Sequence, residues 1–379
     1  MQTVTEKLPE TAVVPRTRRE TIWLVFGVAV AVLCLYTFSV LANLRIGAPD
    51  GVRIFGSFWA SGWAAAHQLN PYAAYPLTYT PGTPPHAKPV LDLNLNPPTL
   101  LPLFEALSWF RPDDVVKIWT LLSVALYIGS AFLLVRKYEP QIQHRQVIWL
   151  LLSWPVLNTL RIGQLYGLIT ALAVVAWILL EDNRQIAAGI CIGILIACKP
   201  NYALWAVLLI FCRRERAAAT AAVVSAGLAC VPLILYGPGI YLEWIHAIKV
   251  DPHWAFTVDI SISGFAARLG HRRVGEATSV LLLLFTLVFV IWKRPSLRNT
   301  TGIALSVAML ASPLAWMHYA LLLAGPLVRK RWNWLITAAM LFLMPPFSSA
   351  FFFLPICIVA AYFFTEAAIE DRPAAPLPA

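Results

Sequence analysis

Charge is scarce in this chain. Asp, Glu, Lys and Arg make up 13% of its 379 residues, against about 25% in an ordinary soluble domain. With 59% of residues hydrophobic and a mean hydropathy of +0.69, a soluble fold would have too much apolar surface to hide. The bilayer must therefore act as solvent for much of the chain. Nucleotide-cradling loops are also missing. No GxGxxG or Walker motif occurs, nor HExxH, nor GxSxG in a workable context. The six cysteines (Cys34, Cys191, Cys198, Cys212, Cys230 and Cys357) fall in or at the ends of apolar runs. They form no CxxC pair and no Cys/His ligand spacing, so they read as small core hydrophobes and no metal is expected.

What remains is a series of apolar runs with short polar breaks. The runs lie at roughly 21–42, 114–135, 146–160, 163–180, 185–198, 200–212, 217–236, 276–292, 300–315, 317–328, 334–345 and 349–365. The expected fold is an all-α integral membrane bundle of about 12 spans. Several runs are shorter than the roughly 20 residues a straight span needs, so broken or incompletely crossing helices are expected. The first run is too long for a signal-peptide core of about 7–15 residues and reads as a retained span.

Lys and Arg outnumber Asp and Glu by 29 to 19. The excess reads as topology under the positive-inside rule, not as a nucleic-acid footprint. With both tails inside, the breaks assigned to the cytoplasm (around Arg136-Lys137, Arg184, Arg213-Arg214, Lys293-Arg294 and Arg329-Lys330-Arg331) and the tails hold 18 of the 29 Lys and Arg. The expected organisation is a cytoplasmic tail (1–20), a transmembrane domain (21–365) and a disordered Pro/Ala-rich cytoplasmic tail (366–379). Two long external loops, 43–113 and 236–275, belong to the domain. Within the first, Phe55 to Ala66 reads as an interfacial helix.

Five polar groups sit at external span ends, where such residues need a reason. Asp50 follows the first span and could act as general base or be a solvated loop acid. Asp92 opens Asp92-Leu93-Asn94-Leu95-Asn96-Pro97-Pro98, a rival base site or a turn before a helix. Arg161 and Gln164 lie in a tight turn, suited to a phosphate or sugar hydroxyl, or to an interface-snorkelling Arg. Lys199-Pro200-Asn201 is a hinge, where a lysine among apolar helices is costly without a polar cavity or an anion. Ser312-Pro313-Leu314-Ala315-Trp316-Met317-His318 places a histidine at a span end. Without nucleotide loops, an enzyme here would sooner use a lipid-carried donor than a nucleotide sugar.

The order of these groups resembles the integral membrane glycosyltransferases of the C superfamily, most closely family 87, the polyprenol-phosphate-mannose-dependent α-mannosyltransferases. The likeness covers roughly residues 20–345. It rests on an acid after the first span, Phe58-Trp59-Ala60-Ser61-Gly62, Asn70-Pro71-Tyr72, Asn96-Pro97-Pro98, Gly163-Gln164, Lys199-Pro200, and Ser312-Pro313 with Trp316 and His318.

The resemblance implies a cavity on the periplasmic or extracytoplasmic side of the cell (inner) membrane. There a sugar, mannose in that family, would pass from a polyprenyl phosphate to a hydroxyl of a glycolipid or glycan, with inversion and without a cofactor. It implies an Asp base (Asp50, then Asp92, then Asp259). His318 would lie at the donor phosphate, Lys199 and Arg161 would hold charge, and Gln164, Asn96 and Trp316 would line the donor site. One departure stands out. The family's acid falls at the position of Ile54, and Asp50 lies one helical turn earlier. Two other readings remain at this level: a transporter or lipid flippase, for which no internal repeat was found, and a non-catalytic family member.

Overall fold

The computed structural model describes residues 17–44, 53–80, 90–251, 259–345 and 352–370. Apart from a two-residue antiparallel pair, β1 (Tyr79–Thr80) with β2 (Val90–Leu91), its regular structure is helical. In chain order the helices are α1 (Arg18–Ala42), α2 (Arg53–Ala66), α3 (Leu101–Ser108), α4 (Pro112–Tyr138), α5 (His144–Leu152), α6 (Trp154–Ile162), α7 (Tyr166–Glu181), α8 (Gln185–Cys198), α9 (Ala203–Leu209), α10 (Glu215–Tyr236), α11 (Ile240–Val250), α12 (Ile262–Arg268), α13 (Arg272–Lys293), α14 (Leu297–Leu310), α15 (Ala324–Val328), α16 (Trp334–Leu341) and α17 (Phe353–Ile369).

Four of them, α1, α4, α10 and α13, are long and apolar enough to cross a membrane unaided. Their ends follow local rules. A capping box starts α1, with Glu20 N donating to the Thr17 hydroxyl and Glu20 accepting from Thr17 N. Pro112 opens α4, with Asp113 and Asp114 in its first turn and Arg136 and Lys137 in its last, matching the helix dipole. The other apolar runs are shorter or interrupted. The expected span 146–160 breaks at Ser153 because Pro155 has no N–H to donate into the preceding turn. The freed Trp154 N–H donates instead to Leu343 O at 2.7 Å.

The central helix is α14, buried from Arg298 to Leu310. Its first turn carries a polar lock. Arg298 donates to Pro326 O (3.0 Å) and the Tyr362 hydroxyl (3.1 Å), pairs with Glu366 at 3.6 Å and lies over the rings of Tyr362 and Phe363. One guanidinium thus joins α14 to α15 and α17. Removing one partner of a buried charged network costs about 3–5 kcal/mol. Arg298→Ala is therefore expected to lower the melting midpoint in detergent markedly, with Arg298→Lys between it and the parent. A midpoint unchanged in Arg298→Ala would remove Arg298 from this role.

Ion pairs gather at this same end. Arg19 meets Glu139 (2.7 Å), Lys137 meets Asp182 (2.5 Å), Arg329 meets Glu181 (2.9 Å) and Lys330 meets Glu366 (2.5 Å). A cavity of about 610 Å³ lies among Lys137, Glu181, Arg214, Arg298 and Arg329. We term this the basic end. The helices running from it carry the breaks at 163–165, 199–202 and 311–316 to the opposite end.

There α2 packs into protein. Phe55, Ser57, Phe58, Ser61 and Ala64 are buried, and Phe58 stacks on Phe104 with ring centres 4.8 Å apart. A Cβ on Gly62 would collide with the backbone of Phe104 and Glu105, so only glycine allows α2 and α3 this approach.

Candidate functional site

Three chain reversals build the site at the end opposite the basic one. Helix α6 stops at Gly163, whose φ of +67° is left-handed and ends the helix cheaply. The Gly163 carbonyl accepts the Trp119 indole N–H (3.1 Å), which fixes the turn. Gln164 follows, 8% exposed, with its side-chain oxygen turned back to Leu165 N. Helix α8 stops at Lys199, which is extended because it precedes Pro200. Helix α14 ends in the turn 311–316. From there a 3₁₀ segment, Met317–Leu323, carries His318 back into the bundle.

These reversals converge on one cluster. His318 is 2% exposed. Its Nδ1 lies 3.3 Å from the Thr159 hydroxyl of α6, and its ring is 5.4 Å from Tyr166 of α7. Tyr166 meets Tyr319 at 5.0 Å, and Tyr319 meets Tyr202 at 5.8 Å. The Lys199 ammonium lies 5.9 Å from the centre of the Tyr319 ring. Among the described residues no carboxylate pairs with Lys199. The hydroxyl of Tyr166 is buried without a hydrogen-bond partner, and that of Tyr202 is buried beside the Asn201 side chain. A cation without a counter-ion among the described residues, an imidazole and the orphaned Tyr166 hydroxyl in one place form a set of groups that an anionic, hydroxyl-bearing ligand would satisfy.

A second wall lies alongside. Asn96 Nδ2 and backbone N both donate to Asn94 Oδ1 (2.9 and 3.0 Å). This leaves Asn94 Nδ2 and Asn96 Oδ1 buried and unpartnered. Thr99 bonds to the Ala197 carbonyl, two residues before Lys199, which ties this wall to the hinge. The Tyr72 hydroxyl donates to Asn96 O (3.1 Å) and the Trp244 indole to Leu95 O (3.1 Å).

The acids fall differently. Asp259 is fully buried. Its Oδ1 accepts from Ser261 N (2.8 Å) and Ala315 N (3.1 Å), and Ile260 N donates to Ala315 O (2.7 Å). It therefore staples the start of the segment leading to α12 to the turn that carries His318. Burial raises its carboxyl to about 6, against the lowering effect of those N–H bonds and of Arg268. Asp92 is half-buried directly after β2, its N–H bonded to Thr78 O (2.8 Å). Asp50 lies outside the described residues, and Ile54 is half-buried in the first turn of α2.

Arg161 is exposed beside α1, one turn after Leu157, whose carbonyl accepts the Tyr36 hydroxyl (3.2 Å). Trp316 is half-buried and forms an antiparallel bridge with Asp259. A separate groove of about 530 Å³ at this end is lined by Asn70, Glu105, Tyr236 and Glu243. Sequence reasoning gave no role to Thr159, Tyr166, Tyr202, Tyr319 or Asn94. Tyr166 and Tyr319 stand two residues from Gln164 and next to His318, the one local signal for them.

Comparison with curated proteins and with solved structures finds no match. Residues 94–317 match the model of glycosyltransferase family 87. That stretch holds both walls of the site from Asn94 to Trp316, and it ends one residue before His318. It spans more than half of the chain, and the apolar helices that carry it are those of a membrane protein. The chain belongs to glycosyltransferase family 87 and is a membrane glycosyltransferase.

Proposed function

We propose that this enzyme moves mannose from a polyprenyl-phosphate-linked donor to a hydroxyl of a lipid or glycan acceptor, at the non-cytoplasmic face of the inner (plasma) membrane. The observation that carries the reading is the convergence of Lys199 and His318 with the orphaned Tyr166 hydroxyl at the end opposite the basic one. Under the positive-inside rule the basic end faces the cytoplasm.

An aspartate takes the proton of the acceptor hydroxyl, and the oxygen attacks the anomeric carbon. The bond from that carbon to the phosphate oxygen breaks with inversion, and its electron pair stays on the phosphate. That leaving group is already stable, so a cation beside it matters more than an acid. Lys199 is that cation, His318 faces the donor, and Gln164, Asn96 and Trp316 shape the donor site. Arg161, exposed at the end of α6, helps hold the charge of the donor. Asp50 is the leading base, before Asp92 and Asp259, and the reaction draws on no cofactor.

The test is transfer by the purified protein from polyprenyl-phosphate-mannose to a panel of glycolipid and polyprenol-linked acceptors. Product should form only when donor and acceptor are both present. Failure with every one of several lipid-linked sugars would sink the reading.

A further inference from the structure

We infer that Thr159 holds His318 as the tautomer protonated at Nδ1, leaving Nε2 as a hydrogen-bond acceptor for a substrate hydroxyl. The argument is a proton count. Thr159 is fully buried on α6, and its hydroxyl donates to Pro155 O at 2.7 Å. A carbonyl only accepts, and a hydroxyl has one hydrogen. The 3.3 Å contact between the same hydroxyl and His318 Nδ1 must then run from the ring to the oxygen. Turning the threonine proton toward Nδ1 would exchange a 2.7 Å bond for a 3.3 Å one. The Pro155 carbonyl also lies within bonding reach of His318. Both groups holding the ring are therefore acceptors, and the ring must supply the proton.

The state of one imidazole nitrogen sets the role of the other. With Nδ1 protonated, Nε2 of the neutral ring carries a lone pair. The titratable groups around the ring are Lys199, Tyr166 and Tyr319, and Tyr127 meets the Thr159 hydroxyl with an O–H of its own, so it demands no proton from Thr159. No carboxylate among the described residues faces it, and the nearby ammonium opposes a second positive charge. Neutral His318 cannot donate through Nε2 to a phosphate oxygen. It can accept from an O–H, and a sugar-bearing ligand supplies one. The two groups thus divide the work: Lys199 takes the phosphate, and His318 takes a hydroxyl. Thr159 is a positioning residue that fixes this division through His318.

This inference rests on the transferase reading only for its kinetic arm. The primary test is nitrogen NMR of protein labelled with ¹⁵N-histidine, with His318→Gln identifying the signal among the 7 histidines. A protonated Nδ1 and a bare Nε2 are expected, unchanged when polyprenyl phosphate is added. A ring protonated at Nε2 instead, or at both nitrogens once polyprenyl phosphate binds, would overturn it. Thr159→Val keeps the shape and removes the acceptor. Pro155 O remains as a second acceptor, so the ring should lose part of its preference for the Nδ1-protonated form, and transfer should slow about 10–100-fold, the range for outer partners that orient metal-bound histidines. Thr159→Ser should restore both. A Thr159→Val protein with an unshifted tautomer would remove Thr159 from the role. A protein with the expected tautomer but no transfer from any lipid-linked sugar would refute the proposed function and leave this inference standing.

Discussion

Replacing Lys199 with methionine is expected to slow sugar transfer about 10²–10³-fold, the range for losing one preorganised charge or donor at a developing anion. The same change should leave the melting midpoint unchanged or raise it. The two halves of this expectation have one cause. Lys199 sits at the break between α8 and the segment after Pro200, its ammonium against the Tyr319 ring. No carboxylate among the described residues offsets its charge. Such a cation costs desolvation and returns little to folding, so an apolar residue of similar length is tolerated or better. A structural lysine would behave the other way, with stability and activity falling together. Lys199→Arg keeps the charge but swaps a compact ammonium for a planar fork, so partial activity is expected. Rate and melting midpoint measured on the same preparations decide it. A midpoint that falls while the rate per folded molecule holds would return Lys199 to a packing role.

Much of the bundle is legible in the sequence because its signals are local. Apolar runs give helices, and the Lys and Arg of the breaks give an end. Pro200 announces the hinge after Lys199. The break at Ser153 was equally available in Pro155, but a continuous apolar run from 146 to 160 concealed it. The Phe55–Ala66 segment is helical as its pattern suggests, yet it buries Phe55 and Phe58 in protein, because Gly62 lets α3 approach.

The site is less legible because its contacts are distant in sequence. Thr159 and His318 are 159 positions apart. Nothing local to either marks the pair. Tyr166 reads as an interface or core residue in the sequence, and only the fold shows its hydroxyl buried and unpartnered. Arg161, singled out in the sequence for anion binding, is exposed at the end of α6, while Thr159, two residues earlier, is fully buried.

Among the candidate bases, Asp50→Asn is expected to cost about 10²–10⁴ in transfer rate, the contribution typical of a positioned general base. Asp92→Asn and Asp259→Asn should cost far less. The ranking draws its strongest contrast from Asp259. An asparagine there keeps the oxygen that accepts from Ser261 N and Ala315 N, so the turn carrying His318 stays in place. Alanine would orphan those N–H groups at about 1–3 kcal/mol each. Asp259→Ala should therefore lose stability, and Asp259→Asn should not.

The pH dependence gives an independent reading of Asp259. Burial raises its carboxyl from the ordinary range near 4 to about 6. A raised carboxyl favours folding in its protonated form, so this contribution is complete below about pH 4 and is lost as pH rises through about 6. Asp259→Asn should flatten that part of the melting curve against pH. If Asp259→Asn instead abolishes transfer while the fold persists, the staple is also the base and the order reverses. A large loss confined to Asp92→Asn would name Asp92. Losses below about tenfold in all three would place the base outside these acids.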